Sequence, residues 1–349
     1  MDSMNKSFDL GSMNNSSQIE DKGNTTQSLL DTMADDVSKW IAIALFVGIM
    51  LFNSSLIIIL VGRKKNGRMT FFVKNLAVAD LFVGLLYVLP EMIFERFHIV
   101  WGKHLCYFIK GAKMIPIYSS TFAIVILTLD RLYMVIKPIN STTRGLSYRL
   151  WLVLPTWILA IVFAIPYMMH ASFINNPQIR CGHDFKKYMY KILAAYDISV
   201  NLIAPVIIIV SCYICIIVRI SRRQQSRFLS IKEDRSRTDL TERMTESNDN
   251  CRVISKAKIR TIKLLMIVVI TYMVCWTPIS VGVCLKIWGH IEYGTTYKLL
   301  YLLAPLNSTV NPVVFMWFNW KMIRSRGIIQ RKTFTTLSML SGKSTKRSM

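Results

Sequence analysis

The sequence predicts an all-α membrane protein, a bundle of seven transmembrane helices followed by a short amphipathic eighth helix. Hydrophobic residues make up 52% of the 349 residues and charged residues only 18%, which is too little polar surface for a soluble protein of this size. Seven apolar segments are each long enough for the roughly 20 residues that cross a bilayer core. Basic residues collect between alternate segments, which predicts the orientation of the bundle.

The seven segments are separated by stretches in which polar and charged residues interrupt the apolar runs. They occupy the approximate ranges 38–62, 69–97, 105–137, 148–170, 188–220, 255–286 and 295–318. Several segments contain proline, which a helix bundle tolerates because neighbouring helices satisfy the freed backbone groups. We therefore expect one membrane domain over residues 38–318.

The distribution of positive charge predicts which side of the membrane each loop faces. Most of the 43 lysine and arginine residues lie in the loops at 62–68, 138–149 and 219–263 and in the tail after residue 320, all on one side of the bundle. Since such flanks face the cytoplasm, we expect a multi-pass plasma-membrane protein with its N-terminus outside. Charge divided among several flanks does not form one basic groove, which argues against nucleic-acid binding.

The N-terminal tail, residues 1–37, is polar and acidic and is expected to be extracellular. It contains four Asn-x-Ser/Thr sequences, which predict glycosylation. The expected sites are Asn5, Asn14, Asn15 and Asn24.

Two cytoplasmic stretches are also polar. The loop at about 221–253 cannot bury a core, so we expect it to be mobile apart from helical extensions at either end. Within residues 319–349, the basic stretch 320–332 is expected to lie on the inner leaflet as an amphipathic helix. The Ser/Thr-rich end is either a solvated tail or a phosphorylation target that becomes a docking surface.

Two cysteines face the oxidising side of the membrane. Cys106 begins the third segment and Cys181 lies in the outer loop before the fifth, so a disulfide between them is expected. The sequence contains no Cys/His cluster with metal spacing, no Ser-His-Asp arrangement and no glycine-rich phosphate loop, so it does not indicate an enzyme.

Asp80 is a carboxylate inside the second apolar segment, and an intramembrane charge points to function by default. One interpretation is a structural hydrogen-bond centre. The other is a cation site in which Ser120, Asn307 and Asn311 supply further oxygen atoms. A hard cation such as Na⁺ would suit these ligands, so an allosteric sodium ion is the one cofactor that the sequence suggests.

An Asp-Arg pair, Asp130-Arg131, lies at the inner end of the third segment. Buried ion pairs give little net stability, so the arginine is a candidate switch that exchanges partners. The alternative is an arginine that extends its side chain to the membrane edge.

Prolines interrupt two of the later segments. Pro278 follows Trp276 in the middle of the sixth segment, and Asn311-Pro312 lies in the seventh. Because proline removes a helical hydrogen bond, each position predicts a kink or hinge.

Taken together, these residues resemble the rhodopsin-like (class A) G-protein-coupled receptors over about residues 38–330. The shared elements are Asp80, Cys106 with Cys181, "DRLY", Trp157, Pro205, "CWTP" and "NPVVF". The resemblance implies that the Asp-Arg pair locks the inactive bundle and that the sixth helix swings outward on activation. It also implies a heterotrimeric G protein as partner, contacted around Arg131, Pro138, Tyr213 and the helix start at 254–263. Arrestin and receptor kinases are further partners of such receptors.

Narrower motifs resemble the vasopressin/oxytocin receptor group, including its nematocin-like members, and the related neuropeptide S receptor. They are "RKKNGRMTFFVKNLAVADL", "ISKAKIRTIK", "LNSTVNP" and "CYFIK", the last of which contains Lys110. This resemblance implies a vasopressin/oxytocin-type neuropeptide as ligand, with another neuropeptide as the alternative.

The expected ligand pocket departs from that group in its charges. Glu91 and Lys113 replace typical glutamines, and Asp197 adds a carboxylate on the fifth segment. Glu91 and Lys113 are expected to form an ion pair that either satisfies only itself or contacts polar groups of a peptide. The lysines disfavour a small cationic amine and favour a peptide. The expected ligand-binding residues are Glu91, Lys110, Lys113, Asp197 and Trp276.

Two further departures concern signalling. Phe315 ends "NPVVF" where the family usually has tyrosine, and Tyr272 replaces the usual phenylalanine before "CWTP". The hydroxyl missing at Phe315 motivates an alternative function, a weakly signalling protein with the receptor fold. A transporter or channel is disfavoured because the two halves of the chain show no repeat.

Overall fold

The computed structural model describes residues 6–62, 67–94, 97, 102–137, 145–175, 179–183, 186–234, 241–289 and 299–320. Seven of its helices are long and apolar enough to cross a membrane, and they confirm the seven predicted segments with small shifts at the ends. Spans 1 to 7 are Thr32–Val61, Arg68–Met92, Lys103–Ile136, Leu146–Met169, Tyr188–Arg222, Ile262–Ile287 and Leu299–Phe318.

Some spans are part of longer helices and others combine two or three pieces. Spans 1, 4 and 6 lie on the helices Lys6–Val61, Leu146–Met169 and Thr241–Ile287. Span 7 consists of a short lead-in from Leu299 and the helix Leu303–Phe318. Span 2 combines the α-helix Arg68–Val83 with the π-helix Gly84–Phe94, and span 3 combines Lys103–Ala112 with Met114–Ile136. Span 5 runs through Lys187–Ile198, the π-helical turn Ser199–Ile203 and Ala204–Asp234.

The polar stretch at 221–253 is largely helical. The helix of span 5 continues to Asp234, and the helix of span 6 begins at Thr241. Arginine, lysine, glutamate and glutamine are good helix formers, so a polar composition does not prevent such extensions. The helical extensions expected at both ends therefore account for most of this stretch, and residues 235–240 lie outside the described residues.

Several predictions concern the two tails. Asn5 and residues 321–349, which include most of the predicted eighth helix, lie outside the described residues. Asn14, Asn15 and Asn24 lie on the helix Lys6–Val61, before span 1, in a part whose side chains are not described. Glycosylation and the amphipathic helix therefore stay predictions.

A two-stranded antiparallel sheet joins spans 4 and 5, which the all-α prediction did not include. Strand β1 (Ala171–Asn175) pairs with strand β2 (Ile179–His183), and Phe173 lies opposite Cys181. Cys181 forms the predicted disulfide with Cys106 at the start of span 3, with a Cα–Cα distance of 5.6 Å. The bond fastens the hairpin to one end of the bundle, which we call the disulfide end. The opposite end, which carries Arg131, is the Arg131 end.

Two hydrophobic clusters make up the core. The cluster toward the Arg131 end contains Leu76, Leu127, Leu265 and Phe315, among others. The cluster toward the disulfide end contains Ile49, Val88, Tyr118 and Leu302, among others. Trp276 packs against both, so this side chain of span 6 connects the two halves of the core.

Candidate ligand cavity and switch

A cavity of about 160 Å³ lies in the half of the bundle nearer the disulfide end, between spans 2 to 7. Three of the five predicted ligand-binding residues line it, namely Lys113, Asp197 and Trp276. Five aromatic side chains contribute to its wall: Tyr87, Tyr167, Tyr190, Trp276 and Tyr301. A largely aromatic cavity with a few charged groups is typical of a small-ligand or side-chain pocket.

Glu91 and Lys110, the other two predicted ligand-binding residues, form an ion-pair cluster beside the cavity. Lys110 Nζ lies 2.5 Å from Glu91 Oε1, and Lys113 Nζ lies 3.3 Å from Glu91 Oε2. The predicted Glu91–Lys113 pair is thus confirmed, and Lys110 is an additional partner. All three side chains are largely buried, as charges can be when they are paired. Lys113 also lines the cavity, so it connects this cluster to the cavity.

Asp197 contributes the carboxylate on the wall formed by span 5. Its Oδ1 accepts hydrogen bonds from the Tyr118 hydroxyl at 3.0 Å and from Asn201 Nδ2 at 2.7 Å. Asn201 is buried and lies on the π-helical turn Ser199–Ile203, where one extra residue per turn changes which side chains face the core. The turn therefore brings Asn201 between Asp197 and the bundle centre.

A hydrogen-bonded chain continues from Asn201 to span 6. Thr121 Oγ1 donates to Asn201 Oδ1 at 3.3 Å, and the Tyr272 hydroxyl lies 3.4 Å from Thr121 Oγ1. The Tyr272 hydroxyl also donates to the backbone oxygen of Asn201. The ring of Tyr272 in turn packs against Trp276, with 6.2 Å between centroids. Tyr272, which the sequence marks only as a departure from the family, thus links spans 3, 5 and 6.

Asp80 is fully buried at the centre of the bundle and accepts hydrogen bonds from three side chains. The donors are Ser120 Oγ at 2.6 Å, Ser308 Oγ at 2.8 Å and Asn311 Nδ2 at 3.2 Å. Ser120 and Asn311 were predicted to surround Asp80, whereas Ser308 was missed. These contacts agree with the hydrogen-bond-centre interpretation.

The surroundings of Asp80 also fit a hard cation. Oδ1 of Asn307 and Oδ1 of Asn311 are buried and have no hydrogen-bond partner within the described part of the chain. A cavity of about 10 Å³ is lined by Ser120, Asn307 and Ser308, which is room for one water-sized species. Carboxylate, hydroxyl and amide oxygens are the ligands that such cations prefer.

Asn53 of span 1 compensates for the proline in span 7. Pro312 has no backbone N–H, so the carbonyl of Ser308, four residues earlier, lacks its helical donor. Asn53 Nδ2 donates to this carbonyl at 2.9 Å and to the carbonyl of Ile49 at 3.0 Å. The side chain of Asn53 is fully buried, and its role could not be read from the sequence.

Asp130 at the Arg131 end receives its hydrogen bond from Arg68 of span 2. Arg68 Nε donates to Asp130 Oδ1 at 2.5 Å, and Arg68 Nη2 pairs with the same oxygen. The guanidinium of Arg68 also lies 5.5 Å from the ring of Tyr133 and 5.1 Å from the ring of Tyr148. From the sequence alone, Arg68 was interpreted only as a flanking charge.

Arg131 contacts Asp130 less closely than Arg68 does. Its Nη2 lies 3.6 Å from Asp130 Oδ2, which is longer than a hydrogen bond, and its Nη1 contacts Met134 Sδ at 3.2 Å. The Nε and Nη2 of Arg131 and the hydroxyl of Tyr213 are buried and have no hydrogen-bond partner among the residues described. Arg131 and Tyr213 are close enough to interact electrostatically. Pro138 lies outside the described residues, as do the side chains of 254–261.

Comparison with known proteins identifies the fold and these motifs. Residues 53–315 match the sequence model of the 7 transmembrane receptor (rhodopsin family). The chain belongs to this family. The predicted resemblance to rhodopsin-like receptors is therefore confirmed, and since the family consists of receptors, the receptor is not an enzyme.

Relatives place the receptor in the vasopressin/oxytocin group. It is 30% identical to the mesotocin receptor of Rhinella marina over 86% of this chain and 80% of that protein. It is 29% identical to the isotocin receptor of Catostomus commersonii, over 91% of this chain and 85% of the relative. It is also 29% identical to the oxytocin receptor of Ovis aries, over 80% and 74% of the two chains. The narrower resemblance to the vasopressin/oxytocin receptor group is confirmed as well.

Proposed function

We propose that this receptor binds a vasopressin/oxytocin-type neuropeptide at the plasma membrane and transmits binding through movement of span 6 to a heterotrimeric G protein. The ligand type follows from the mesotocin, isotocin and oxytocin receptors to which the chain is similar. In this proposal the disulfide end faces the extracellular side, together with the N-terminal tail and its glycans.

The observation that carries this proposal is the position of Trp276. This side chain lines the cavity, packs against both core clusters and precedes Pro278 on the same span. Because Pro278 lacks the N–H that would bond to the preceding turn, span 6 has a natural bending point next to the cavity. A peptide side chain that displaces Trp276 would thus act directly on the helix that has to move.

The Arg131 end supplies the proposed G-protein contact. The buried donors of Arg131 and the buried hydroxyl of Tyr213 lack hydrogen-bond partners in the described structure, so they are available for new ones. Movement of span 6 would expose them together with the helix start at 254–263 and Pro138. Span 7 contributes a second bending point at Asn311-Pro312. The basic stretch 320–332 would lie on membrane lipid. The Ser/Thr-rich tail would be phosphorylated by receptor kinases and would then bind arrestin.

Calcium release in cells that express the receptor with a promiscuous G protein tests this proposal. A vasopressin/oxytocin-type nonapeptide is expected to give a dose-dependent response that Arg131→Ala abolishes at equal surface expression. Arg219→Ala, which removes an exposed arginine from span 5, is the matched control and should respond normally. A response only to another neuropeptide would keep the receptor and refute the ligand type, while silence to a whole neuropeptide panel would refute both.

Sodium is proposed as an allosteric ligand of Asp80, with oxygens from Ser120, Asn307 and Asn311. A ligand that binds only the folded receptor raises its stability in proportion to the logarithm of its concentration. The midpoint of thermal unfolding of purified receptor is therefore expected to be higher in NaCl than in KCl at equal ionic strength. Asp80→Asn should remove the difference. Equal midpoints for the unaltered receptor in both salts would contradict the sodium site.

A further inference from the structure

Asp197 is a carboxylate within a membrane span that forms no salt bridge in the described structure. Its contacts there are the neutral donors Tyr118 and Asn201, and both bond to the same oxygen, Oδ1. Glu91 and Asp130, the other acidic residues near functional ends of the bundle, each contact at least one lysine or arginine. An intramembrane carboxylate is costly to bury without a closely paired counter-ion, and Asp197 is half-buried with only neutral hydrogen-bond donors in direct contact.

The cavity around Asp197 has the chemistry that binds cations. Five aromatic rings line it, and the faces of such rings attract ammonium and guanidinium groups. One such cation–ring contact is already present at the cavity wall, since Lys286 Nζ lies 5.2 Å from the centroid of the Tyr190 ring. A carboxylate within an aromatic cavity is therefore a site for a second positive group.

The other charged side chain that lines the cavity, Lys113, is paired with Glu91 of span 2. Lys113 attracts Asp197 at longer range, but its ammonium group is paired with Glu91 Oε2 at 3.3 Å, so its charge is largely offset. The cluster of Glu91, Lys110 and Lys113 brings two ammonium groups to one carboxylate and has a surplus of positive charge. A cation that enters the cavity would thus be repelled from this cluster and attracted to Asp197.

We propose that Asp197 binds a guanidinium or ammonium group of the peptide ligand, which the aromatic rings of the cavity surround. The inference rests on the proposed function and makes it more specific, because it requires a peptide with a basic residue that enters the cavity. It also connects that basic residue to span 6 through a chain of hydrogen bonds. Asp197 orients Asn201, and Asn201 accepts a hydrogen bond from Tyr272, one turn from Trp276.

A scan with paired peptides tests this assignment. In each pair of vasopressin/oxytocin-type nonapeptides, one position holds either arginine or citrulline, which keeps the shape and hydrogen bonds of arginine without its charge. Calcium release is measured in cells that express the receptor with a promiscuous G protein. At one position the arginine peptide is expected to be about 10- to 100-fold more potent than its citrulline partner, as for a charged hydrogen bond.

Substitutions in the cavity test whether the preference for the arginine peptide depends on Asp197. Asp197→Asn keeps an oxygen for Tyr118 and Asn201 and removes the charge, so it should make the two peptides equally potent, mainly by weakening the arginine peptide. Asp197→Glu should retain the preference. Lys113→Gln, which changes another charge of the same cavity, should retain it as well. If Asp197→Asn does not reach the cell surface, Asp197→Gln is the second neutral variant.

The possible failures can be told apart. If the receptor responds to nonapeptides but no pair differs in potency, or if the preference survives in Asp197→Asn, the inference is overturned and the proposed function stands. If the receptor responds to no peptide of the scan, the proposed function fails and the inference fails with it.

Discussion

Arg68 of span 2 donates to Asp130 of span 3 at 2.5 Å, so the aspartate beside Arg131 is held by an arginine from another helix. The rings of Tyr133 and Tyr148 lie against the same guanidinium and fix its position. Asp130 therefore does not depend on Arg131 for a hydrogen bond. Since Arg131 has only a longer ionic contact to give up, its release requires less free energy than the rupture of a direct pair.

Arg68→Gln tests this arrangement, because it frees Asp130 to bond to Arg131. We expect basal calcium signalling to fall roughly two- to tenfold, as one additional hydrogen bond of about 0.5–1.5 kcal/mol would hold Arg131 in place. The measurement compares basal signalling at equal surface expression. In an Asp130→Asn background, Arg68→Gln should have a much smaller effect, since the charge that both arginines share is gone. Unchanged basal signalling in Arg68→Gln would contradict the arrangement.

Tyr272→Phe removes the hydroxyl that connects span 6 to span 5. Its hydrogen bond to the Asn201 backbone and its polar contact with Thr121 are lost, so the free energy of unfolding should fall by about 1–3 kcal/mol, and basal signalling should rise. Thermal unfolding in detergent and basal calcium release measure the two effects. Tyr213→Phe is the control for stability, because that hydroxyl has no hydrogen-bond partner among the described residues. Equal stability of Tyr272→Phe and the unaltered receptor would refute the proposed connection.

Asn53→Ala should leave the Ser308 carbonyl buried without a donor. The expected loss is about 1–3 kcal/mol in the free energy of unfolding, the cost of one unsatisfied buried group. Pro312→Ala restores a backbone N–H to this carbonyl, so Asn53→Ala should cost less in the Pro312→Ala background. A double-mutant cycle of thermal unfolding midpoints measures the difference. Additive effects of the two substitutions would show that Asn53 does not compensate for the proline.

Phe315→Tyr tests the alternative of a weakly signalling receptor. Phe315 is buried and lines a cavity of about 10 Å³ together with Asp80 and Asn311. A hydroxyl at this ring is expected to gain polar partners and to raise the maximal peptide response measured by calcium release. Phe315→Leu, which adds no hydroxyl, is the matched control. If Phe315→Tyr responds like the unaltered receptor, the residue gives no reason to expect weak signalling.

Hydropathy and charge predicted the seven spans, since both are local properties of the chain. The same holds for the disulfide of Cys106, which needed only two cysteines on one side of the membrane. The Glu91–Lys113 pair could also be predicted, because two replaced pocket residues of opposite charge are expected on adjacent helices. The hairpin β1–β2 was missed, because two strands of five residues each give a weaker sequence pattern than a membrane helix.

The contacts that sequence reasoning missed join residues far apart in the chain. Arg68 and Asp130 are 62 positions apart, Asp80 and Ser308 are 228 apart, and Asn53 and Ser308 are 255 apart. Which of several polar residues on two helices meet depends on the rotation of each helix. The π-helices in spans 2 and 5 change that rotation by inserting a residue, and no simple sequence pattern predicts them.

The distance between spans 3 and 6 at the Arg131 end, measured by spin labels at Lys137 and Lys263, tests most directly whether span 6 moves. Both positions are exposed, and labels at Lys137 and Leu146 of span 4 provide the reference pair. In a background without free cysteines, a saturating activating peptide is expected to lengthen the Lys137–Lys263 distance and leave the reference distance unchanged. An unchanged Lys137–Lys263 distance with peptide bound would contradict the claim that the cavity acts on Arg131 through span 6.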